Sequence, residues 1–176
     1  MEGAPLGKVV VIALLAVCLL GGVGIWYTQT RAFWDRVEGP VTLGIEGRPL
    51  EATGVEAIAS ASSPLGFRAC FRHRLDPAAV DAAPRPAPAP TVAPGWFPCF
   101  DAGEVAGLLE RGGARAFTAR KNAQFGVDRI VALAPDGRGW AWHELNECGR
   151  RSYDGTAVGE ACPDRAGFQP LTEGAP

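Results

Sequence analysis

The sequence lacks the short motifs of the common enzyme classes. It contains no G-x-S-x-G nucleophile elbow, no G-x-x-x-x-G-K-S/T phosphate loop and no G-x-G-x-x-G dinucleotide-binding turn. Its acidic residues are scattered, so no pair of carboxylates stands out as a general acid and a general base. We therefore assign no catalytic residue and no cofactor, and we favour a binding role over an enzymatic one.

Basic clusters are also missing. Lysine and arginine total 17 against 19 acidic residues, the formal net charge is −2, and no basic run is interleaved with aromatic residues. A nucleic-acid-binding surface is usually strongly basic because it neutralises phosphates. We therefore expect no nucleic-acid partner.

Histidine is scarce, with two residues in the chain, and this bears on the segment HELNECG, His143 to Gly149. The zinc-protease motif H-E-x-x-H needs two histidines one helical turn apart, so that both imidazoles face the metal. Glu147 stands where the second histidine would be. A metalloprotease site is therefore not expected.

An uncharged apolar run, Val9 to Tyr27, is the strongest positive signal in the sequence. It is long enough to cross a lipid bilayer as a helix. A cleaved signal peptide is a weaker alternative, because bulky residues directly follow the small Gly22 and Gly24. A lipoprotein signal at Cys18 is weaker still, because the apolar run continues past it. We predict an uncleaved transmembrane helix over residues 9–27, after a short tail of residues 1–8.

Aromatic residues cluster where this run ends. Trp and Tyr are enriched where membrane helices meet lipid headgroups. Residues predicted to lie at the membrane interface are Trp26, Tyr27, Phe33 and Trp34. Helical spacing of the apolar residues in segment 28–38 predicts that the helix continues as an amphipathic helix on the membrane surface. An equally good alternative is that these aromatic residues pack into the folded domain.

Cysteine usage is typical of an exported protein. With Cys18 set aside inside the span, an even number of widely spaced cysteines remains: Cys70, Cys99, Cys148 and Cys162. Such a set in a small exported domain predicts a disulfide framework. Three pairings are possible and the sequence does not choose among them, although pairing of sequence neighbours is the simplest.

These cysteines decide which end of the predicted transmembrane helix faces the cytoplasm. Lys8 favours a cytoplasmic N-terminus, whereas Arg31 and Arg36 beyond the other end oppose it, so the positive charges nearly balance. Disulfides form on the oxidising side of a membrane. We therefore predict a single-pass protein of a bacterial inner membrane, with a cytoplasmic N-terminus and the folded domain in the periplasm.

The same residues allow a second interpretation. Cys70 and His73 have C-x-x-H spacing, and His143 and Cys148 lie close together further along the chain. These four side chains would suit zinc or copper if the sheet brought both pairs together, as in a redox or metal-handling assembly factor. Neither C-x-x-C nor C-x-x-C-H is present, so structural disulfides are favoured.

Short alternating runs predict strands in the folded domain, residues 39–170. Segment 39–47 alternates apolar residues between glycines, and segment 65–75 places apolar and polar side chains on opposite faces. Two apolar runs flank the turn Pro135–Gly137, which predicts a hairpin. Because strands follow one another without β-α-β alternation, we predict an α+β fold: a small, mainly antiparallel sheet with one main helix and disulfide staples, after the N-terminal transmembrane helix.

One clear helix is predicted in this domain. Asp101 is placed to cap its N-terminus, Glu104 has capping-box spacing, and Gly112 ends it. The preceding insertion, residues 76–98, is rich in proline and alanine, so we expect polyproline II structure or disorder with little to bury. Residues 171–176 are expected to form a flexible C-terminus.

The layout resembles an uncharacterised family of bacterial single-anchor membrane proteins, known only as a domain of unknown function. The resemblance is carried by the short tail before the span and by the segments WYTQTRAFWDRV, FRACFR, PCFDA and HELNECG. It covers nearly the full chain and implies no substrate and no catalytic residue. The sequence thus favours a membrane-anchored periplasmic module that contacts the lipid bilayer through residues 9–27 and acts by contact with another envelope or membrane protein.

Overall fold

The computed structural model describes residues 6–150, 155–156 and 162–171. The chain divides into two compact units, Met1–Phe33 and Trp34–Pro176. Helix α1, Leu6–Thr30, lies in the first unit and has no buried residue. Its length and composition are those of a helix that crosses a membrane. A candidate membrane span near the N-terminus is therefore present, as the sequence predicts.

The second unit has the predicted α+β architecture. Its elements in chain order are β1 (Trp34–Arg36), β2 (Gly44–Ile45), β3 (Arg48–Pro49), β4 (Thr53–Ser60), β5 (Phe67–Arg72), α2 (Ala102–Glu110), β6 (Arg115–Gln124), β7 (Val127–Leu133) and β8 (Arg138–Leu145). A six-stranded antiparallel sheet has the order β1-β4-β5-β8-β7-β6, and β2 and β3 form a separate hairpin. The predicted turn Pro135–Gly137 joins β7 to β8, with Gly137 at φ +83°, a left-handed conformation that glycine adopts without strain.

The residues after α1 do not continue as an amphipathic helix, so that part of the prediction for residues 28–38 is wrong. Helix α1 ends at Thr30, and Trp34–Arg36 pair with β4 as an edge strand. The Trp34 side chain packs against the core of the second unit. A short amphipathic helix is marginal by itself, and the strand ladder together with the burial of Trp34 outweighs it.

Other elements cover both faces of the six-stranded sheet. Along β5, Phe67 and Phe71 point to one face and Cys70 to the other. Hairpin β2–β3 packs on the first face, which we call the hairpin face. Helix α2 packs on the second, which we call the helix face. Strand β7 is consequently buried along its whole length, including the charged residues Asp128 and Arg129.

Helix α2 is capped as predicted at its first turn. The Asp101 carboxylate accepts hydrogen bonds from the backbone N–H groups of Gly103 and Glu104, at 2.8 and 3.1 Å. The predicted capping box is not closed, because the Glu104 carboxylate accepts a bond from the Arg138 guanidinium at 2.6 Å instead. An ion pair to strand β8 thus takes the place of the local hydrogen bond.

Residues 76–98, which we call the strap, are bound to the sheet, contrary to the prediction of a segment with little to bury. The Arg85 amide donates to a β6 carbonyl at 2.7 Å. The buried Arg68 guanidinium donates to the carbonyls of Thr91 and the next residue, at 2.7 and 3.2 Å. Phe97 is 1 % exposed. Because proline has no N–H, the carbonyls of such a segment have few internal donors and are open to donors from the sheet.

Both disulfides join sequence neighbours. Cys70 is bonded to Cys99, which ties the end of the strap to β5, and Cys148 is bonded to Cys162. With sequence separations of 29 and 14, each bridge contributes about 3 kcal/mol on loop-closure arguments. In the described part of the chain Cys18, within α1, is the free cysteine.

Candidate functional site

A row of cross-strand neighbours crosses one end of the sheet on the hairpin face. Asp35 of β1 pairs with Ala59 of β4, and Ala59 pairs with Phe67 of β5. His143 of β8 stacks on Phe67 with ring centroids 5.0 Å apart, and it pairs with Arg129 of β7. We call these five residues the groove row. They are far apart in sequence, and the strand register alone brings them into line.

A groove of about 640 Å³ lies over this row. Each of the six strands contributes to its lining, with Gln124 as the contribution of β6; Gln124 pairs with Val127, two residues before Arg129 on β7. One wall is the β4–β5 turn, residues 60–66. At the β6 end, Leu171 lines the groove and is fixed there by two bonds: its N–H donates to the Ala123 carbonyl at 2.7 Å, and its carbonyl accepts from the Gln124 side chain at 2.9 Å.

Arg129 and His143 form a hydrogen-bonded pair in the floor of the groove. Nε and Nη2 of Arg129 lie 3.2 and 3.1 Å from Nε2 of His143. A guanidinium only donates, so Nε2 is the acceptor and the imidazole proton sits on Nδ1, which donates to the Pro64 carbonyl at 2.6 Å. Arg129 also donates to the Thr42 carbonyl at 2.9 Å, and its guanidinium lies 3.7 Å above the Phe67 ring.

This arrangement keeps His143 neutral. Burial, reinforced by the neighbouring Arg129 charge, lowers the pKa of His143 from 6.5 to about 3. A general acid or base works best when its pKa is near the working pH. His143 is thus suited to holding Arg129 and the β4–β5 turn in place, and it is unsuited to proton transfer near neutral pH.

The next residue along the chain, Glu144, points to the opposite face because side chains alternate along a strand. Its Oε1 accepts from the Ala89 amide at 2.7 Å and from the Trp142 indole at 2.8 Å, and its Oε2 accepts from Arg85 at 3.2 Å. Arg85 also reaches Asp128 at 3.3 Å. These carboxylates anchor the strap across the helix face, so neither lies in the groove.

The segment HELNECG is therefore the end of a strand and a tight loop. His143 and Glu144 face opposite sides of the sheet, as described above. Asn146 turns the chain by accepting bonds from the Cys148 and Gly149 amides, at 2.9 and 3.1 Å. Cys148 then enters its disulfide. This geometry is incompatible with a helical metal-binding motif.

The structure does not bring together the four residues proposed as metal ligands. Cys70 and Cys148 are in separate disulfides. His73 hydrogen-bonds to Gly137, before β8 begins, whereas His143 lies near the end of β8. At about 3.3 Å per strand residue the two histidines are roughly 20 Å apart, whereas a metal ion needs ligands at about 2 Å. Among the residues that the structure describes, no group of three or more His, Cys, Asp and Glu side chains is placed to hold a metal ion.

The predicted interface aromatic residues are divided between the two units. Trp26 and Tyr27 are exposed on α1, and Phe33 is exposed just after it. Trp34 is half-buried in the second unit, with the Arg68 guanidinium 5.7 Å from its ring. The sequence did not single out Arg129, although a charged residue inside the apolar run GVDRIVAL is a usable signal, since such residues are rarely buried without partners.

Comparison with known proteins identifies the domain but adds no activity. No curated protein and no solved structure matches the chain. A family model described as a family of unknown function, DUF6446, matches residues 41–163. The matched region includes both disulfides and the groove residues from β4 to β8. This agrees with the resemblance to an uncharacterised domain family, and the chain belongs to this family of unknown function (DUF6446).

Proposed function

We propose that this protein is anchored in a bacterial inner membrane by α1, with its folded domain in the periplasm, and that it binds another envelope or membrane protein without catalysing a reaction. Helix α1 supports the anchor because of its length and apolar composition. The two disulfides support an oxidising compartment for the second unit. The N-terminus is then cytoplasmic.

The groove is the observation that carries the binding role. Its volume of about 640 Å³ lies within the range of about 300–1,000 Å³ that is usual for binding pockets. Arg129 and His143 in its floor are already held by protein partners, with His143 between Pro64 and Arg129. A fixed floor of this kind favours recognition, because a partner meets an ordered surface and loses little free energy in organising it.

The compartment can be tested by counting thiols. In full-length protein purified from membranes without reductant, we expect alkylation under denaturing conditions to label Cys18 alone, because the other cysteines are oxidised. Intact mass before and after reduction measures the number of labels. A Cys18→Ser variant serves as control and should take up no label before reduction. Labelling of Cys70 or Cys148 before reduction would place the domain in a reducing compartment.

Binding at the groove can be tested by site-specific photocrosslinking in cells. A photoreactive residue at Ser62, on the exposed β4–β5 turn, is expected to give a discrete crosslinked protein of defined mass. The matched control is Arg74, which is exposed just beyond the opposite end of β5. The same probe there is expected to give no such product. Equal products from both positions, or none from Ser62, would contradict a partner at the groove.

A further inference from the structure

The groove is elongated, and its shape indicates what kind of ligand it accepts. Its lining takes residues from all six strands, so it runs across the sheet, perpendicular to the strands. With neighbouring strands about 4.8 Å apart, the distance from β1 to β6 is about 24 Å, which matches about seven residues of extended peptide. A compact metabolite would leave most of this length empty.

The chemistry of the lining favours a peptide over other long ligands. A lipid chain needs a continuous apolar surface, whereas Asp35, Ser62 and Gln124 line this groove. A sugar chain commonly stacks on the open face of an aromatic ring, but the ring of Phe67 is covered by Arg129 at 3.7 Å and by His143 at 5.0 Å. The lining mixes polar and apolar groups, which suits an extended peptide, because a peptide presents polar backbone groups and side chains of both kinds along its length.

Charge distinguishes the two ends of the groove. At the β1 end, Asp35 and Glu38 are exposed and line the groove, and within the described residues neither carboxylate has a hydrogen-bond or ion-pair partner. Arg36, between them in sequence, also lines this end of the groove, but its charge is already paired with Glu56 at 3.6 Å and its guanidinium lies over the Trp96 ring. At the β6 end the lining is neutral, with Gln124 the nearest polar side chain. A cationic group is therefore favoured at the β1 end alone.

We propose that the groove binds an extended peptide segment of a partner protein, with a lysine or arginine side chain of that segment beside Asp35 and Glu38. The segment lies across the strands, with its neutral part over Phe67 and His143 and its far end near Gln124. This inference rests on the proposed function, because it specifies the class of partner segment for the same groove.

The test is a binding cycle with full-length protein in detergent micelles. The probes are the fluorescent peptide GSVKVTVSG and a matched peptide in which norleucine replaces the lysine, which removes the ammonium group and keeps the four-carbon chain. Wild-type protein is compared with the double variant Asp35→Asn/Glu38→Gln. The control variant is Asp81→Asn/Glu110→Gln, which makes the same chemical changes at exposed carboxylates outside the groove lining.

We expect wild-type protein and the control variant to bind the lysine peptide about fivefold more tightly than the norleucine peptide at low salt, since exposed ion pairs contribute modestly. In the Asp35→Asn/Glu38→Gln variant this preference is expected to disappear, while the affinity for the norleucine peptide is unchanged. A preference that survives in that variant, or that is absent from wild-type protein, would overturn the inference. If Ser62 gives a crosslinked partner but wild-type protein shows no such preference, the proposed function stands. Only the inference that the partner segment carries a basic side chain is then rejected.

Discussion

Replacing Glu144 with alanine is expected to lower the free energy of unfolding by about 3–5 kcal/mol, because one carboxylate serves three buried or half-buried donors. Its loss leaves the Trp142 indole and the Ala89 amide without an acceptor, and it removes one of the two ion pairs of Arg85. The strap then loses its two bonds to the Glu144 carboxylate of β8, from Ala89 and Arg85. Urea unfolding of the full chain in micelles, followed by near-ultraviolet circular dichroism of the buried tryptophans, measures the change.

Two further substitutions distinguish the loss of the Glu144 hydrogen bonds from the effect of removing a negative charge. Glu144→Gln keeps one oxygen for the Trp142 and Ala89 donors but loses the ion pair with Arg85, so we expect an intermediate loss of stability. Glu147→Ala removes an exposed carboxylate from the same segment and should change the free energy of unfolding by less than about 0.5 kcal/mol. An effect of Glu144→Ala no larger than that of Glu147→Ala would show that the strap is held by its other contacts.

Features that depend on neighbouring residues were accessible from the sequence. The Asp101 cap and the Pro135–Gly137 turn each involve a few consecutive residues, and the apolar run of α1 is continuous. Strand β5 also appears in the sequence as a clear alternation of apolar and polar residues. Strand β4, Thr53–Ser60, was missed because glycine, glutamate and alanine are weak strand formers. Its pairing with β1 and β5 on its two sides decides its conformation.

The strap and the groove row depend on contacts between distant residues, which local composition does not encode. Arg68 binds the strap 23 residues away, and Arg85 of the strap binds Glu144 59 residues away. A proline-rich segment with few apolar residues is usually disordered, and here Arg68 and Glu144 of the sheet, together with a disulfide, order it. The groove row likewise follows from the register between neighbouring strands. Alternation of side chains shows which residues of one strand share a face, but it does not show which residue of the next strand lies opposite.

Acidification is expected to destabilise the domain through His143. The pKa of this imidazole is about 3 in the folded chain because of burial and the Arg129 charge, against 6.5 for an unperturbed histidine. Between these values the unfolded chain binds more protons than the folded chain, so the free energy of unfolding is at its full value above about pH 6.5 and falls as the pH decreases. At about 1.4 kcal/mol per pH unit, the loss reaches about 2 kcal/mol at about pH 5 and about 4 kcal/mol at about pH 3, where the folded histidine begins to take up a proton as well.

A His143→Gln variant isolates this contribution. The glutamine side chain offers an oxygen to Arg129 and an N–H group to the Pro64 carbonyl, and it does not titrate. Urea unfolding of both proteins at several pH values is expected to show the variant less stable near pH 7, with the difference shrinking by about 2 kcal/mol at about pH 5. Carboxylates protonate mostly below that pH, so they affect both proteins alike. A constant difference across this range would mean that folding does not lower the pKa of His143, and that the floor of the groove is not the acid-sensitive part of the fold.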